Sequence, residues 1–277
     1  MSTQKHNEAE RHALLTFFVL AFGLSWAVEI PLALQAHGLI AAPIPPYLHY
    51  LAGYGPMLAA IIATAAAGGK EALRALFGRM TKWRVRPIWW LVALAPLAMY
   101  AVVGGVLGFI QGQWSGFEAL GLIEFLPDLG IGALLFWFLT FGFGEETGWR
   151  GYALPRLQRG RSALSATLIL WVFWALWHLP LFFYLYDASS IVGFLLGLLA
   201  GAVILTWLCN STGGSILLVA VWHASFNFVT GCIACKAGAT AAILSTLVMI
   251  WAVVLVAWFK PAALSRSDAQ IPLGVKS

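Results

Sequence analysis

Charge is what this sequence has least of. Asp, Glu, Lys and Arg make up only 10% of its 277 residues, where a soluble domain carries about 25%. That shortage excludes an ordinary soluble globule. Cysteine is scarce as well: the chain has three, Cys209, Cys232 and Cys235. They cannot build a disulfide framework, and no second pair exists to complete a four-cysteine zinc site with "CIAC" at 232–235. Packing residues are expected there. No HExxH zinc motif, no internal repeat and no separate soluble domain is visible. The first apolar run lacks an A-x-A cleavage site and is too long for a signal-peptide core, so it is expected to remain as an anchor.

What the chain does have is apolar length. Hydrophobic residues make up 61% of it, and there are 14 Trp, which suits helices ending at lipid headgroups. Apolar runs fall at about 13–34, 47–67, 88–110, 131–153, 164–185, 190–209, 214–232 and 238–259, each near the ~20 residues needed to span a bilayer. The fold expected is an all-α, polytopic membrane bundle of about eight transmembrane helices. It forms a single integral membrane domain over 1–277, with a core at 131–235.

Basic residues orient it. With eight spans, Lys5, Arg11, Lys70, Arg74, Arg79, Lys82, Arg84, Arg86, Arg150, Arg156, Arg159, Arg161, Lys260, Arg266 and Lys276 fall on one side. Only Lys236 falls on the other, where the 111–130 loop holds Glu118, Glu124 and Asp128. The positive-inside rule then puts both termini in the cytoplasm of a cell inner (plasma) membrane. The net charge of +5 sits in membrane-proximal loops, so the partner implied is membrane lipid and not nucleic acid. The stretch "RMTKWRVRPIWW" (79–90) reads first as a topology signal, with docking to anionic headgroups as a compatible role. The sequon "NST" (210–212) falls on the cytoplasmic side and is discarded.

Ionisable groups inside a membrane are costly and tend to mark a site. Glu145, Glu146 and Arg150 stand in the fourth run, His178 in the fifth, His223 and Asn227 in the seventh. At 1.5 Å per residue, Glu145 lies about 12 Å deep, His223 about 15 Å, and His178 and Asn227 about 21 Å. These depths overlap, so the groups are placed to face one another. Glu29, in "WAVEIPLAL", lies nearer the outer surface and is expected to pack or snorkel.

Helix spacing separates the two glutamates. Glu146 and Arg150 are four apart and share a face, whereas Glu145 points about 140° away from Arg150. Glu146 is therefore the ion-pair partner and Glu145 the free carboxylate. His223 and Asn227 also share a face, and Trp174 stands one turn before His178. A carboxylate removed from bulk water is a better base near neutral pH. A histidine beside it helps hold a water, and a second histidine with an amide can donate to an oxyanion. These are the parts for amide hydrolysis by activated water. No acyl-enzyme nucleophile is evident, because Ser225 lies on another helix face. Singly, each residue has an ordinary structural reading; it is the combination on three helices that points to a site.

Three motifs carry a resemblance. "EETGWR" fits EExxxR, "WALWH" fits an aromatic followed by three residues and His, with Trp174 where Phe is more usual, and "HASFN" fits HxxxN. In order and separation they resemble the CPBP family (CAAX proteases and bacteriocin-processing proteins, also called Abi), as do "NSTGGSILLVAVWHASFN" and "KWRVRPIWW". Members of that family resemble the Ras-converting endopeptidase, which removes the last three residues of prenylated CAAX proteins. The resemblance implies an intramembrane endopeptidase with a peptide or protein substrate. Glu145 and His178 would activate water, His223 and Asn227 would stabilise the oxyanion, and Glu146, Arg150 and Trp174 would support the site. The expected mechanism needs no cofactor; the alternative is zinc held by Glu145, His178 and His223. The contrasting reading within the family is a non-catalytic bacteriocin self-immunity or scaffold protein. The sequence leaves substrate and oligomeric state open.

Overall fold

The computed structural model describes residues 2–111, 120–236 and 239–266. Glu118 and Lys276, both used above to orient the chain, lie outside them. Among the described residues the secondary structure is entirely helical, and every predicted apolar run falls on a helix. These are α1 (Ser2–Ala36), α2 (Gly55–Met80), α3 (Ala95–Gln111), the broken helix α4 (132–157), α5 (Ala163–Trp177), α6 (Ile191–Ser211), α7 (Ile216–Thr230) and α8 (Ala239–Trp258). Five helical stretches are long and apolar enough to cross a membrane: Glu10–Ala36, Pro46–Met80, Ala163–Phe183, Ala188–Ser211 and Ala239–Trp258. Ala95–Ile110 and Ile216–Thr230 are shorter apolar helices. The chain is a polytopic helical membrane bundle.

Its outside is as greasy as its inside. Leu15, Val19, Phe109, Ile110 and Val253 are all exposed on the described surface. Burial from water therefore does not by itself drive these helices together in lipid; close packing and polar contacts must. Aromatic rings supply much of that packing. Phe17 of α1 stacks on Tyr152 of α4, with centroids 4.9 Å apart, and Trp149 meets Trp177 edge-on at 5.9 Å.

Local signals set the helix ends that matter for function. Ser162 caps α5 by accepting from the Ser165 amide at 3.1 Å, as short hydroxyl residues do at N-termini. At the other end, Pro180 cannot continue a regular helix, and α5 stops at Trp177 with His178 as its cap residue. Ser215 caps α7 in the same way, accepting from the Leu218 amide at 3.3 Å.

Cys232 and Cys235 do not act as plain packing residues. They form a disulfide just beyond α7, and both are buried. One helical turn separates them, which brings their Cα atoms to 5.0 Å, inside the range a disulfide can bridge. The Ile233 amide between them donates to the Leu122 carbonyl at 2.9 Å, and that hydrogen bond ties the segment after α7 to the loop that precedes α4.

α4 is held in the middle of the bundle by glycine. A Cβ on Gly144 would lie 2.5 Å from the Gly53 carbonyl oxygen, and one on Gly148 would lie 2.5 Å from Pro56 Cβ and 2.6 Å from its oxygen. The backbones of α4 and the start of α2 therefore touch directly. Gly148→Ala should destabilise the folded protein by about 1–3 kcal/mol, the usual cost of overpacking. Thermal melting in detergent measures it; a wild-type midpoint would contradict the contact.

Candidate active site

α4 carries the first motif, and it is not a regular helix. Gly132–Trp137 is α-helical, Phe138–Phe143 winds as a wider π-helical turn, Gly144–Gly148 returns to α, and Trp149–Ala153 widens again. Such turns recur at functional sites. Here they bracket Glu145 and Glu146. Widening a turn frees backbone carbonyls that need other donors. The Gly151 carbonyl accepts from Arg79 Nη2, and the Arg150 carbonyl accepts from the Cys209 thiol at 3.9 Å.

The two glutamates have separate partners, as their spacing predicts. Both oxygens of Glu146 accept from Arg150 Nη1, at 2.9 and 3.0 Å. Its Oε1 also accepts from His223 Nδ1 at 2.7 Å. An ionised carboxylate only accepts, so Nδ1 of His223 carries hydrogen and its Nε2 remains for other work. Glu146 and Arg150 are both fully buried. Glu145, also buried, takes one hydrogen bond among the described residues, from Trp174 Nε1 to Oε2 at 2.6 Å.

Trp174 thus does more than wall the site. Its indole N–H grips Glu145, its ring lies 4.3 Å from the Arg150 guanidinium carbon, and it meets His223 edge-on at 5.8 Å. A cation over an indole face is attracted by the ring quadrupole. Its backbone carbonyl also accepts from His178 Nδ1 at 2.7 Å. That bond fixes the tautomer of His178 and leaves its Nε2 as an acceptor. His178 is buried against Trp177 and Phe194. Asn227 lies one turn beyond His223 on α7 and is half-buried.

Glu29 is packed inside the bundle and does not snorkel. It is 1% exposed and has one oxygen, Oε2, without a hydrogen-bond partner among the described residues. Depth counted along a straight α1 placed it nearer the outer surface, but α1 packs inward against the turn that follows α5. Tyr186 meets Phe194, which in turn meets His178, with ring centroids 5.3 and 5.1 Å apart. His49, bonded through Nδ1 to the Tyr184 hydroxyl at 2.8 Å, lies near His178. Sequence reasoning missed His49 and both tyrosines; a histidine inside the second apolar run was the available signal.

As to a metal, no three His, Cys, Asp or Glu side chains converge as a ligand set among the described residues. The Nδ1 atoms of both motif histidines are engaged by protein oxygens, which leaves each Nε2 open, as on histidines that ligate a metal. The side chains of the zinc set Glu145, His178 and His223 do not converge in this arrangement among the described residues, and no step below is routed through a metal.

Residues 127–229, which contain all three motifs, match the family model described as "Type II CAAX prenyl endopeptidase Rce1-like". This part of the chain is similar to the CAAX protease (CPBP) family. A curated relative, "CAAX prenyl protease 2" of Methanococcus maripaludis, is 36% identical over 125 residues. That alignment covers 42% of this chain and 45% of the relative, so the match spans under half of either length. Trp174 stands where that family's motif more often has Phe, and its bond to Glu145 is what a phenyl ring cannot supply. Trp174→Phe should lower stability by about 1.5–3 kcal/mol, the range for hydrogen bonds to charged groups. Chemical denaturation would read this, and an unchanged midpoint would show that the indole bond contributes nothing.

Proposed function

We propose that the chain is an intramembrane endopeptidase that hydrolyses a peptide bond near the C-terminus of a membrane-associated substrate, including prenylated ones, with a water activated by Glu145. The match of residues 127–229 to the family model and the likeness to a CAAX prenyl protease support the endopeptidase activity. The division of labour between adjacent glutamates carries the mechanism. Glu146 is saturated by Arg150 and His223, while Glu145 is held by a single indole and keeps an oxygen for a water.

In this reading Glu145 takes a proton from water while His178 Nε2 accepts the second hydrogen and orients it. The water oxygen bonds to the scissile carbonyl carbon. The resulting oxyanion receives hydrogen bonds from His223 Nε2 and the Asn227 amide. A donor at His223 Nε2 requires the protonated imidazolium, whose Nδ1 faces the Glu146 carboxylate. The C–N bond then breaks, and the proton held by Glu145 passes to the leaving amine. The same carboxylate serves as base and then acid, so no group outside the site is consumed. Arg150 anchors the Glu146 carboxylate, which in turn holds the His223 ring in place. We assign both termini to the cytoplasm of a cell inner membrane, on the bias of Lys and Arg, with the peptide entering from that side.

The test is a quenched fluorescent peptide ending in S-farnesylcysteine and three further residues, beside its unprenylated counterpart, with the full chain in liposomes. Glu145→Gln should lower cleavage at least about a hundredfold, within the range for loss of an acid–base group. Its melting midpoint should stay near wild type. Wild-type cleavage by Glu145→Gln would remove the basis for the assignment. Cleavage of both peptides alike would show that the lipid is not recognised.

A further inference from the structure

The mechanism needs Glu145 on α4 and His223 with Asn227 on α7 to keep a fixed separation. The two helices are joined directly by the His223–Glu146 bond within the site. A second connection lies outside it. Arg79, at the end of α2, reaches α4, and Lys82, just beyond α2, reaches the turn that begins α7.

Arg79 is 8% exposed, and its Nη2 donates to the Gly151 carbonyl in the second wide turn of α4. Its Nε and Nη1 have no partner among the described residues. The guanidinium is thus a buried donor committed to one carbonyl of the motif helix. Lys82 works on the other side. Its Nζ donates to the Gly213 carbonyl at 2.8 Å, and its own carbonyl accepts from the Ser215 hydroxyl at 2.7 Å. Ser215 is the residue that caps α7. Gly213 and Gly214 both adopt positive φ, +60° and +83°, a conformation that favours glycine. A Cβ on Gly213 would meet Lys82 Nζ at 2.9 Å. The turn before α7 is therefore seated against Lys82.

We propose that Arg79 and Lys82 are positioning residues, forming a clamp that sets the spacing between α4 and α7 and hence between the general base and the oxyanion donors. The proposal rests on the hydrolytic reading above. Sequence patterning counted these two cations as topology signals, with headgroup docking as a compatible role. Arg84 and Arg86 carry the same charge in the same segment but are exposed, and Arg84 lies over the exposed Trp83 ring at 5.2 Å. They separate the clamp from a general effect of positive charge.

Misplacing reacting groups by about 1 Å can cost about a hundredfold in rate. The clamp residues touch no substrate, so their loss should fall on kcat and spare KM. Initial rates with the farnesylated peptide are measured on the full chain in liposomes, beside melting midpoints in detergent. Lys82→Met and Ser215→Ala are each expected to lower kcat about tenfold, short of the hundredfold limit. KM should stay within about twofold of wild type, and folded protein should be retained. The double variant should lose less than the product of the two single losses, because both act on one turn. Arg79→Met risks the fold, so Arg79→Lys is compared with it; the lysine, which can still reach a carbonyl, should recover part of kcat. Arg84→Gln should match wild type.

Wild-type kcat in both Lys82→Met and Ser215→Ala, with Glu145→Gln inactive, would overturn the clamp and leave the hydrolytic reading standing. Losses that track the melting midpoint, or an equal loss in Arg84→Gln, would also overturn it. Activity in Glu145→Gln would instead strike the hydrolytic reading itself.

Discussion

A guanidinium inside a membrane bundle must be paired, because an isolated buried charge costs several kcal/mol or more. Arg150 meets that demand with two contacts: Glu146 takes its Nη1 on both oxygens, and Trp174 lies beneath its plane, while its Nε and Nη2 have no hydrogen-bond partner among the described residues. Each partner then holds something else. Glu146 fixes His223, and Trp174 fixes both Glu145 and His178. The remaining site residues inherit their orientation from the need to neutralise this one cation. Arg150 sits one turn from the reacting groups and needs no contact with substrate to matter.

Lipid removes the usual driving force for helix association, so the bundle relies on close contact and on polar ties. Gly144 and Gly148 bring two backbones together where larger residues would hold them apart. Ser25 Oγ donates to the Ala52 carbonyl at 2.7 Å, and Thr167 meets Thr206 at 2.9 Å, linking α1 to the start of α2 and α5 to α6. Bonds of this kind place a catalytic side chain better than apolar contact alone, because they have direction.

The sequence disclosed the bundle and much of the site. Eight apolar runs became eight helices, since length and hydropathy dictate that directly. The pairing of Glu146 with Arg150, and the separation of Glu145 from it, followed from residues four and five apart. What stayed hidden depended on geometry between helices. The inward turn of Glu29 was invisible because depth along one helix does not give direction. The indole bond from Trp174 was missed because an aromatic was read for its face and not its N–H. The Cys232–Cys235 bond was set aside because two cysteines do not make a framework, although one turn of helix is enough to join them. Arg79 and Lys82 looked like their neighbours until their carbonyl partners came into view.

The wide turns of α4 have a consequence for how this chain tolerates insertions and deletions. A π turn holds one residue more than the α turn it replaces. Removing a single residue from Phe138–Phe143 would let that stretch rewind as ordinary helix with little rotation of one side against the other. Removing one from the regular stretch Gly132–Trp137 would instead swing everything on one side by about 100° relative to the other. In that second case Glu145 would leave the indole, Glu146 would leave the imidazole, and the glycine seam would present side chains to Gly53 and Pro56. An indel one residue long, harmless in a loop, would there disassemble the site and the helix contact together.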